Sequence, residues 1–308
     1  MSFTVLDSRW IVGVGGNYRC HFTIYDLSTS TESGGPWLYQ NKVNPILIPH
    51  RNMLYILSSR PKIDHGADFL PWFEGIIFRD GRAPEMGCFP SRKLPPPPIF
   101  PYCIYPLEYL NPPDVRVAAY AVVDSHILLS VYYKRHHEEQ EDDKGTCAFD
   151  MDKRVWDMVD DKSLPFLGQA IPLTGHNNLF VARSKDNAGA AALYTMALFP
   201  AKDTSTGKKE LSIVKLKLLD HPPIVLGQHH LCAPGMDGFS SFHVPSRYRS
   251  PDDAILEKAR VIHNTYSLVK GGDIDLQLVK RQAFKLRDPS SFFARPAPVV
   301  AAFTMDSE

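Results

Sequence analysis

The sequence predicts an all-β protein built from short antiparallel strands. Runs of β-branched and aromatic residues recur along the chain and are separated by turn residues. Several runs alternate polar with apolar side chains, as LSIVKLKL at 211–218 does, and this alternation is typical of a half-buried strand. Proline-rich breaks at 94–101, 111–114 and 221–224 interrupt the runs, because proline lacks the N–H group that a central strand donates.

The predicted strands occupy most of the chain between these breaks. In order, they span residues 10–14, 21–27, 52–59, 73–80, 116–124, 126–133, 145–152, 178–184, 191–199, 211–219 and 273–284. One stretch, 250–262, instead favours a helix, since Ser250 can cap its N-terminus and Pro251 suits the first helical position. The tail of that stretch could also pass into a strand.

The glycine cluster in WIVGVGGNYRCHFTIYDLS, residues 10–28, could cradle a phosphate or form a corner in a sheet. A dinucleotide-binding fingerprint would need a third glycine where this chain has Tyr18. The following residues, HFTIYDL, predict a strand, whereas a pyrophosphate site would need the N-terminus of a helix. We therefore expect Gly15 and Gly16 to form a turn with positive φ after the first strand.

A pattern of strand, turn, second strand and aromatic residue recurs along the chain. The copies cover residues 10–37, 127–156 and, more loosely, 178–199. A single four-stranded sheet cannot bury both of its faces, whereas a ring of such sheets can. At about 40–50 residues per blade, the 308 residues predict one β-propeller domain, 1–308, with six blades of four-stranded antiparallel sheets.

Two segments carry a resemblance to known repeats. VGVGG at 12–16, with Tyr25-Asp26 and Trp37 beyond it, resembles a kelch repeat. The segment GTCAFDMDKRVWDMVDDKSLPFLGQAIPL at 145–173, preceded by LPPPPIF and AYAVVDSHILLSV, resembles a plant family of kelch-like proteins prominent in grasses, domain of unknown function number 1668. This resemblance implies a kelch-like β-propeller of the galactose oxidase type, and it implies no established activity and no site residues.

Composition narrows the class of partner. Lys+Arg and Asp+Glu both number 34, so the chain lacks the basic excess that nucleic-acid binding usually requires. No apolar run approaches the roughly 18 residues that span a bilayer, and the N-terminus does not resemble a signal peptide. The five cysteines include no CxxC pair, which disfavours disulfides and structural zinc. We expect a cytoplasmic or nuclear protein that binds neither nucleic acid nor membrane.

The densest polar cluster, KRHHEEQEDDKG at 134–145, predicts a solvated hairpin loop between two strands. Imidazole and carboxylate groups together can ligate zinc or iron, but adjacent histidines in a loop seldom form a preorganised site. If the loop projects from a propeller face, it could contact a protein partner. The candidate binding residues are His136, His137, Glu138 and Glu139.

A second cluster, GQHHLCAPGMDGFSSFHV at 227–244, is the candidate for chemistry. A metal site there would use His229, His230, Cys232 and His243, although their spacing matches zinc-binding motifs poorly. A neighbouring histidine could alternatively lower the pKa of the Cys232 thiol and make it nucleophilic. The competing interpretation is that Cys232 is a small buried core residue.

The sequence therefore predicts a non-catalytic protein-binding module that needs no cofactor and presents loops to a protein partner. The alternative is an enzyme with a metal or thiol site in the central pocket of a propeller. The GxSxG and HExxH motifs of common hydrolases are absent from the chain. We expect Asp26 and Asp150 to form turns. The tryptophans, at positions 10, 37, 72 and 156, are expected to pack between blades.

Overall fold

A computed structural model gives the fold of most of the chain. It describes residues 1–15, 21–61, 71–79, 82–84, 91–101, 112–135, 140–173, 175–176, 178–187, 189–201, 209–219, 225–233, 238–245, 260–269 and 275–285. Every helix or strand element within these ranges is a β-strand, so the all-β prediction is confirmed. The described ranges contain no helix with the length and apolar character needed to cross a membrane.

The chain forms two compact units, and the first comprises residues 1–164 and 198–211. Its first sheet contains β1 (Ser2–Leu6), β2 (Trp10–Gly15), β3 (His21–Asp26) and β4 (Thr31–Gly34). Its second contains β5 (Ile46–His50), β6 (Met53–Leu57), β7 (Phe73–Ile77) and β8 (Arg92–Lys93). Its third group contains β9 (Asp114–Val123), β10 (His126–Lys134), β11 (Thr146–Asp150) and β12 (Val155–Asp160). In each group consecutive strands lie side by side in chain order and are antiparallel.

The second unit comprises residues 165–197 and 212–308. Its strands begin with β13 (Phe166–Pro172), β14 (Leu179–Ser184), β15 (Ala191–Pro200) and β16 (Lys209–Leu218). They continue with β17 (Val225–Cys232), β18 (Gly238–Pro245), β19 (Arg260–Val269) and β20 (Asp275–Lys285). Strands of each group again follow chain order, so the twenty strands within the described ranges form five four-stranded groups. The six-bladed propeller stays a prediction.

Strand β6 is a continuous run of apolar residues because both of its faces are buried. Its sequence MLYIL is buried throughout. The side chains of Met53, Tyr55 and Leu57 pack into one hydrophobic core with residues of β9–β11. Those of Leu54 and Ile56 pack into another core with residues of β1–β3. Because successive side chains point to opposite faces of a strand, the β5–β8 sheet is buried on both faces.

Aromatic rings fill the first of these cores. Phe149 on β11 contacts Phe73 on β7 edge to face, with ring centroids 4.9 Å apart. Trp156 on β12 packs on Phe149 at 5.0 Å and donates its indole N–H to the Pro95 carbonyl at 2.8 Å. Such pairs stabilise a core beyond the area that they bury. The expected packing of Trp156 between neighbouring sheets is therefore confirmed.

The second unit has a core of its own. It is formed mainly by residues of β14 and β15 on one side and of β17–β20 on the other. Phe239 and Tyr266, which face each other across β18 and β19, stack with their centroids 4.5 Å apart. Both rings are almost fully buried. This unit therefore has a well-packed interior between two sheets, like the first unit.

Two local predictions meet different outcomes. Gly15 ends β2 with φ of +109°, a conformation that favours glycine, and β3 then runs back antiparallel to β2. The corner is thus confirmed for Gly15, whereas Gly16 lies outside the described residues. Of the expected helix at 250–262, residues 250–259 also lie outside them, and the tail from Arg260 onward forms β19.

Candidate functional site

Strands β10 and β11 pair as an antiparallel hairpin, as predicted, and the acidic loop between them follows Lys134 and ends before Thr146. The described part of the loop is tied at its base, where the Asp142 N–H donates to the Tyr133 carbonyl at 2.9 Å. The Asp142 carboxylate also pairs with Lys144 at 3.0 Å. The binding candidates, His136, His137, Glu138 and Glu139, lie outside the described residues, so their role stays a prediction.

The candidate metal ligands lie on β17 and β18, but they do not share one face. Register pairs His230 with Phe242 and Cys232 with Ser240, so His230 and Cys232 point to the same side of the sheet. His243 follows Phe242 and therefore points to the opposite side, where it is 3% exposed. Of His229 only the backbone, within β17, is described. Among the described residues, no three His, Cys, Asp or Glu side chains are grouped closely enough to hold a metal.

The environment of Cys232 is that of a core residue. The side chain is 6% exposed, and this burial raises the pKa of the Cys232 thiol to about 11. A nucleophilic cysteine needs the opposite shift, because the thiolate is the reactive form. His263 lies on the same face of the sheet, but its Nε2 hydrogen-bonds to the Ser240 hydroxyl at 3.1 Å and its ring stacks on Phe242.

A cluster of charged groups that the sequence did not predict surrounds His126. This histidine begins β10 opposite Asp150 at the end of β11, and its Nε2 lies 3.4 Å from the Asp150 carboxylate. The Lys209 ammonium group donates a hydrogen bond to the same Nε2 and lies 3.7 Å from Asp150. Burial, together with the Lys209 charge, lowers the pKa of His126 although Asp150 opposes the shift. The imidazole is therefore held neutral as a hydrogen-bond acceptor.

The aspartates at the strand ends form turns, as predicted. Asp150 accepts hydrogen bonds from the N–H groups of Asp152 and Lys153 at 3.1 and 3.0 Å. Asp26 accepts the N–H of Ser28 at 2.8 Å. The hydrogen bond from Arg9, followed by that from the Ser28 hydroxyl, lowers the pKa of Asp26. Both carboxylates are therefore engaged with local backbone groups, which is the usual role of Asp at such positions.

The segment that connects β4 to β5 exposes large apolar side chains. Trp37, Tyr39 and Val43 are 58%, 46% and 62% exposed, and these three residues are called the 37–43 patch. Pro36 and Leu38 alternate with the two aromatic residues and are buried. Trp10, Trp72 and Trp156 are buried or pack against a core, as expected. Trp37 is not: the expectation that it packs between sheets is wrong, because the buried Leu38 occupies the core position instead.

A fully buried ion pair attaches this segment to strand β7. The Lys42 ammonium group contacts the Glu74 carboxylate of β7, and the two side chains are 1% and 0% exposed. The other carboxylate oxygen of Glu74 accepts the Tyr39 N–H at 3.0 Å. Removing one partner of such a pair costs about 3–5 kcal/mol, because the remaining charge stays buried. The pair therefore holds the backbone at Tyr39 and Lys42, between Trp37 and Val43.

Further contacts fix the two ends of the segment. The Gly35 N–H donates to the Phe22 carbonyl at 2.7 Å, and a side chain at position 35 would collide with the Phe22 ring. The Ser59 hydroxyl donates to the Val43 carbonyl at 3.3 Å. Loops normally lose conformational entropy when they bind, and a loop fixed beforehand loses less. The 37–43 patch is consequently a preorganised apolar surface on an irregular segment.

Within the described part of the chain, one cation contacts an aromatic ring of the patch. The Lys93 ammonium group lies 4.6 Å above the centre of the Tyr39 ring. Lys93 is exposed and makes no ion pair within the described part of the chain. The carboxylate nearest in register, that of Glu74, is buried against Lys42. Among the described residues, the exposed side chains around Tyr39 are therefore mainly apolar, with Asn41 as a neutral polar neighbour and Lys93 as a positive charge.

Comparison with known proteins gives a family without an activity. A family model described as "Protein of unknown function (DUF1668)" matches residues 1–286. No curated protein matches the chain. Relatives therefore supply no substrate, partner or site residue, and the geometry of the chain has to carry any functional argument.

Proposed function

Since the chain belongs to the DUF1668 family of proteins of unknown function, we propose its role from its own surface: a non-catalytic module that binds another protein. The observation that carries this proposal is the exposure of Trp37 and Tyr39 on a segment whose backbone is already fixed. Tryptophan and tyrosine are the residues most enriched among binding hot spots. Two of them side by side on a surface held by a buried ion pair suit a docking function better than a structural one.

The proposal includes a kelch-like β-propeller fold and the plant family to which the sequence shows its resemblance. Consecutive four-stranded groups in chain order support it, as does the burial of the β5–β8 sheet on both faces. In this fold, the connection between the last strand of one blade and the first strand of the next is the position of the 37–43 patch. The partner is a protein, and the cytoplasm or nucleus is the proposed place of action.

Affinity capture with matched variants tests the proposal. The full-length chain, the W37A/Y39A variant and the F199A variant are compared as baits in native extract, after circular dichroism has shown that all three are folded. Phe199 is the matched control because its side chain is 54% exposed, close to the value for Trp37. A partner retained by F199A and lost by W37A/Y39A would support the proposal. Equal capture by all three baits would overturn the assignment of the patch.

The enzyme alternative, with its metal or thiol site near His229, His230, Cys232 and His243, has less support. His230 and Cys232 share one face of their sheet and His243 lies on the other. Burial also raises the pKa of the Cys232 thiol, so the group stays protonated at neutral pH. Elemental analysis of the purified chain for zinc, iron, copper and manganese tests this alternative, and a stoichiometric metal would bring it ahead of the binding module.

A further inference from the structure

The apolar and charged side chains at the 37–43 patch also restrict the kind of peptide segment that can bind there. Resting on the proposed protein-binding function, we propose that the patch binds an extended segment of the partner in which a carboxylate lies next to an apolar side chain. The patch supplies an apolar surface, through Trp37 and Tyr39, and one cation, through Lys93. The apolar side chain of the segment would pack on the aromatic surface, and its carboxylate would pair with Lys93.

Charge complementarity sets the acidic component. Lys93 lies against the Tyr39 ring with its ammonium group exposed, and no anion within the described residues pairs with it. Glu74 lies opposite Lys93 in register, but it does not pair with Lys93. Its buried carboxylate already binds the Lys42 ammonium group and the Tyr39 N–H. A carboxylate that arrives beside Tyr39 therefore meets a cation without displacing an existing partner. A lysine or arginine there would meet a like charge.

Geometry sets the extended component. Buried Leu38 between exposed Trp37 and Tyr39 shows that the two aromatic side chains point to the same side of an extended backbone. In extended backbone, alternate residues are about 7 Å apart. A partner in extended conformation has the same spacing between side chains on one face. It can place an apolar side chain against Trp37 and a carboxylate against Lys93 from residues two apart.

A nucleic acid is a poor occupant of this surface. Its affinity depends on several phosphate contacts, and each contact needs its own cation. Among the described residues, Lys93 is the one cation seen to contact the patch, and the chain as a whole has formal net charge zero. A hydrophobic surface with a single positive charge suits an acidic peptide better than a polyanion.

Selection from a phage-displayed library of random peptides, about twelve residues long to span the patch in extended form, tests the inference. The bait is the folded full-length chain, and W37A serves for counter-selection. We expect the Trp37-dependent peptides to be enriched in Asp and Glu two residues from an apolar position. Their affinity should fall at least about 30-fold in W37A, as at a hot spot. It should fall about fivefold in K93E, as for a charge at the rim of an interface.

The control for the charge is K162E, because Lys162 is also exposed and makes no ion pair within the described part of the chain. K162E should leave peptide affinity unchanged. Trp37-dependent peptides without an acidic excess, or with the same affinity for K93E as for the unmodified chain, would overturn the inference and leave the binding function in place. Failure to select any Trp37-dependent peptide would overturn the docking surface itself, and with it this inference.

Discussion

At the scale of single residues, the buried Lys42–Glu74 pair determines whether the exposed aromatic segment keeps its shape. Lys42→Met should lower the free energy of unfolding by about 3–5 kcal/mol, because the Glu74 carboxylate would remain buried without its cation. It should also weaken capture of a partner, since the 37–43 patch would lose a tether. Urea denaturation followed by tryptophan fluorescence measures the stability change.

The double variant K42M/E74M is the control for that experiment. It replaces both charges with apolar side chains of similar length, and such replacements are often neutral or stabilising. The double variant should therefore be more stable than K42M alone. If K42M costs less than about 1 kcal/mol, the value expected of an exposed ion pair, the pair does not anchor the segment.

Cys232 provides a second prediction at this scale. With a thiol pKa of about 11 and a side chain that is only 6% exposed, the thiolate is a very small fraction at neutral pH. Iodoacetamide should therefore label Cys232 slowly in the folded chain and rapidly in urea, as read by mass spectrometry of the digest. Cys147, buried with its pKa also raised, serves as an internal reference. Labelling of Cys232 much faster than Cys147 under native conditions would restore the thiol-enzyme alternative.

His126 makes stability depend on pH in a defined direction. Its pKa in the folded chain is below the ordinary 6.5, so the unfolded chain binds more protons in the interval below that value. The charged groups that act on the imidazole are Lys209, Asp150 and, more weakly, Asp124. The contribution of His126 to stability is therefore complete well above pH 6.5 and is lost as the pH falls through the folded-state pKa.

His126→Gln should consequently reduce the loss of stability between about pH 7 and pH 5. Glutamine can still hydrogen-bond to Lys209 or Asp150, but it does not titrate. Unfolding free energies from urea titrations at each pH supply the comparison. A steeper loss of stability in H126Q than in the unmodified chain would show that the imidazole is charged in the folded state, contrary to this account.

At the scale of elements, the packing of one sheet against the next depends on a few aromatic side chains. Phe149 of β11 is fully buried and contacts Tyr55, Phe73 and Trp156. Phe149→Ala should lower the free energy of unfolding by about 3–5 kcal/mol, through lost burial and the cavity left behind. Phe199→Ala, on an exposed part of β15, should change it by less than about 0.5 kcal/mol, as is usual for surface substitutions.

The sequence could predict strands well and could not predict which irregular segments form a surface. Strand β6 reads as buried because MLYIL is apolar throughout, and both of its faces indeed lie in cores. The segment after β4 offers no such pattern. Its order depends on Glu74, which is 35 positions from Tyr39 and 32 from Lys42 along the chain. Only the fold brings these residues together, so Trp37 could not be distinguished from the other tryptophans.

The same reasoning applies to the cluster around His126. The sequence predicted Asp150 as a turn residue, and it is one. It could not show that Lys209, 83 positions away from His126, approaches the same imidazole. Conversely, the closely spaced His230, Cys232 and His243 suggested a shared site, but strand alternation separates His243 from the other two. Proximity along a strand is a poor guide to shared chemistry when neighbours point to opposite faces.

At the scale of the whole molecule, the strands form the packed cores, whereas the irregular segment after β4 exposes the 37–43 patch. The described residues form twenty strands in four-stranded groups, and the segment between β4 and β5 carries the exposed aromatic side chains. Functional residues are often located on loops that a rigid scaffold positions. Under the proposed function, binding depends on the exposed side chains of that segment, so substitutions there should abolish binding while the strands stay folded.

The measurement that tests this claim most directly is site-specific photo-crosslinking in native extract. A photoreactive amino acid replaces Val43, within the patch, in one variant of the chain. A second variant carries it at Val214 on β16, which is 52% exposed and serves as the control position. We expect a discrete crosslinked partner from position 43 that is absent from position 214 and is lost when Trp37→Ala is added. Identical crosslinking from both positions, or crosslinking at 43 that persists in W37A, would contradict it.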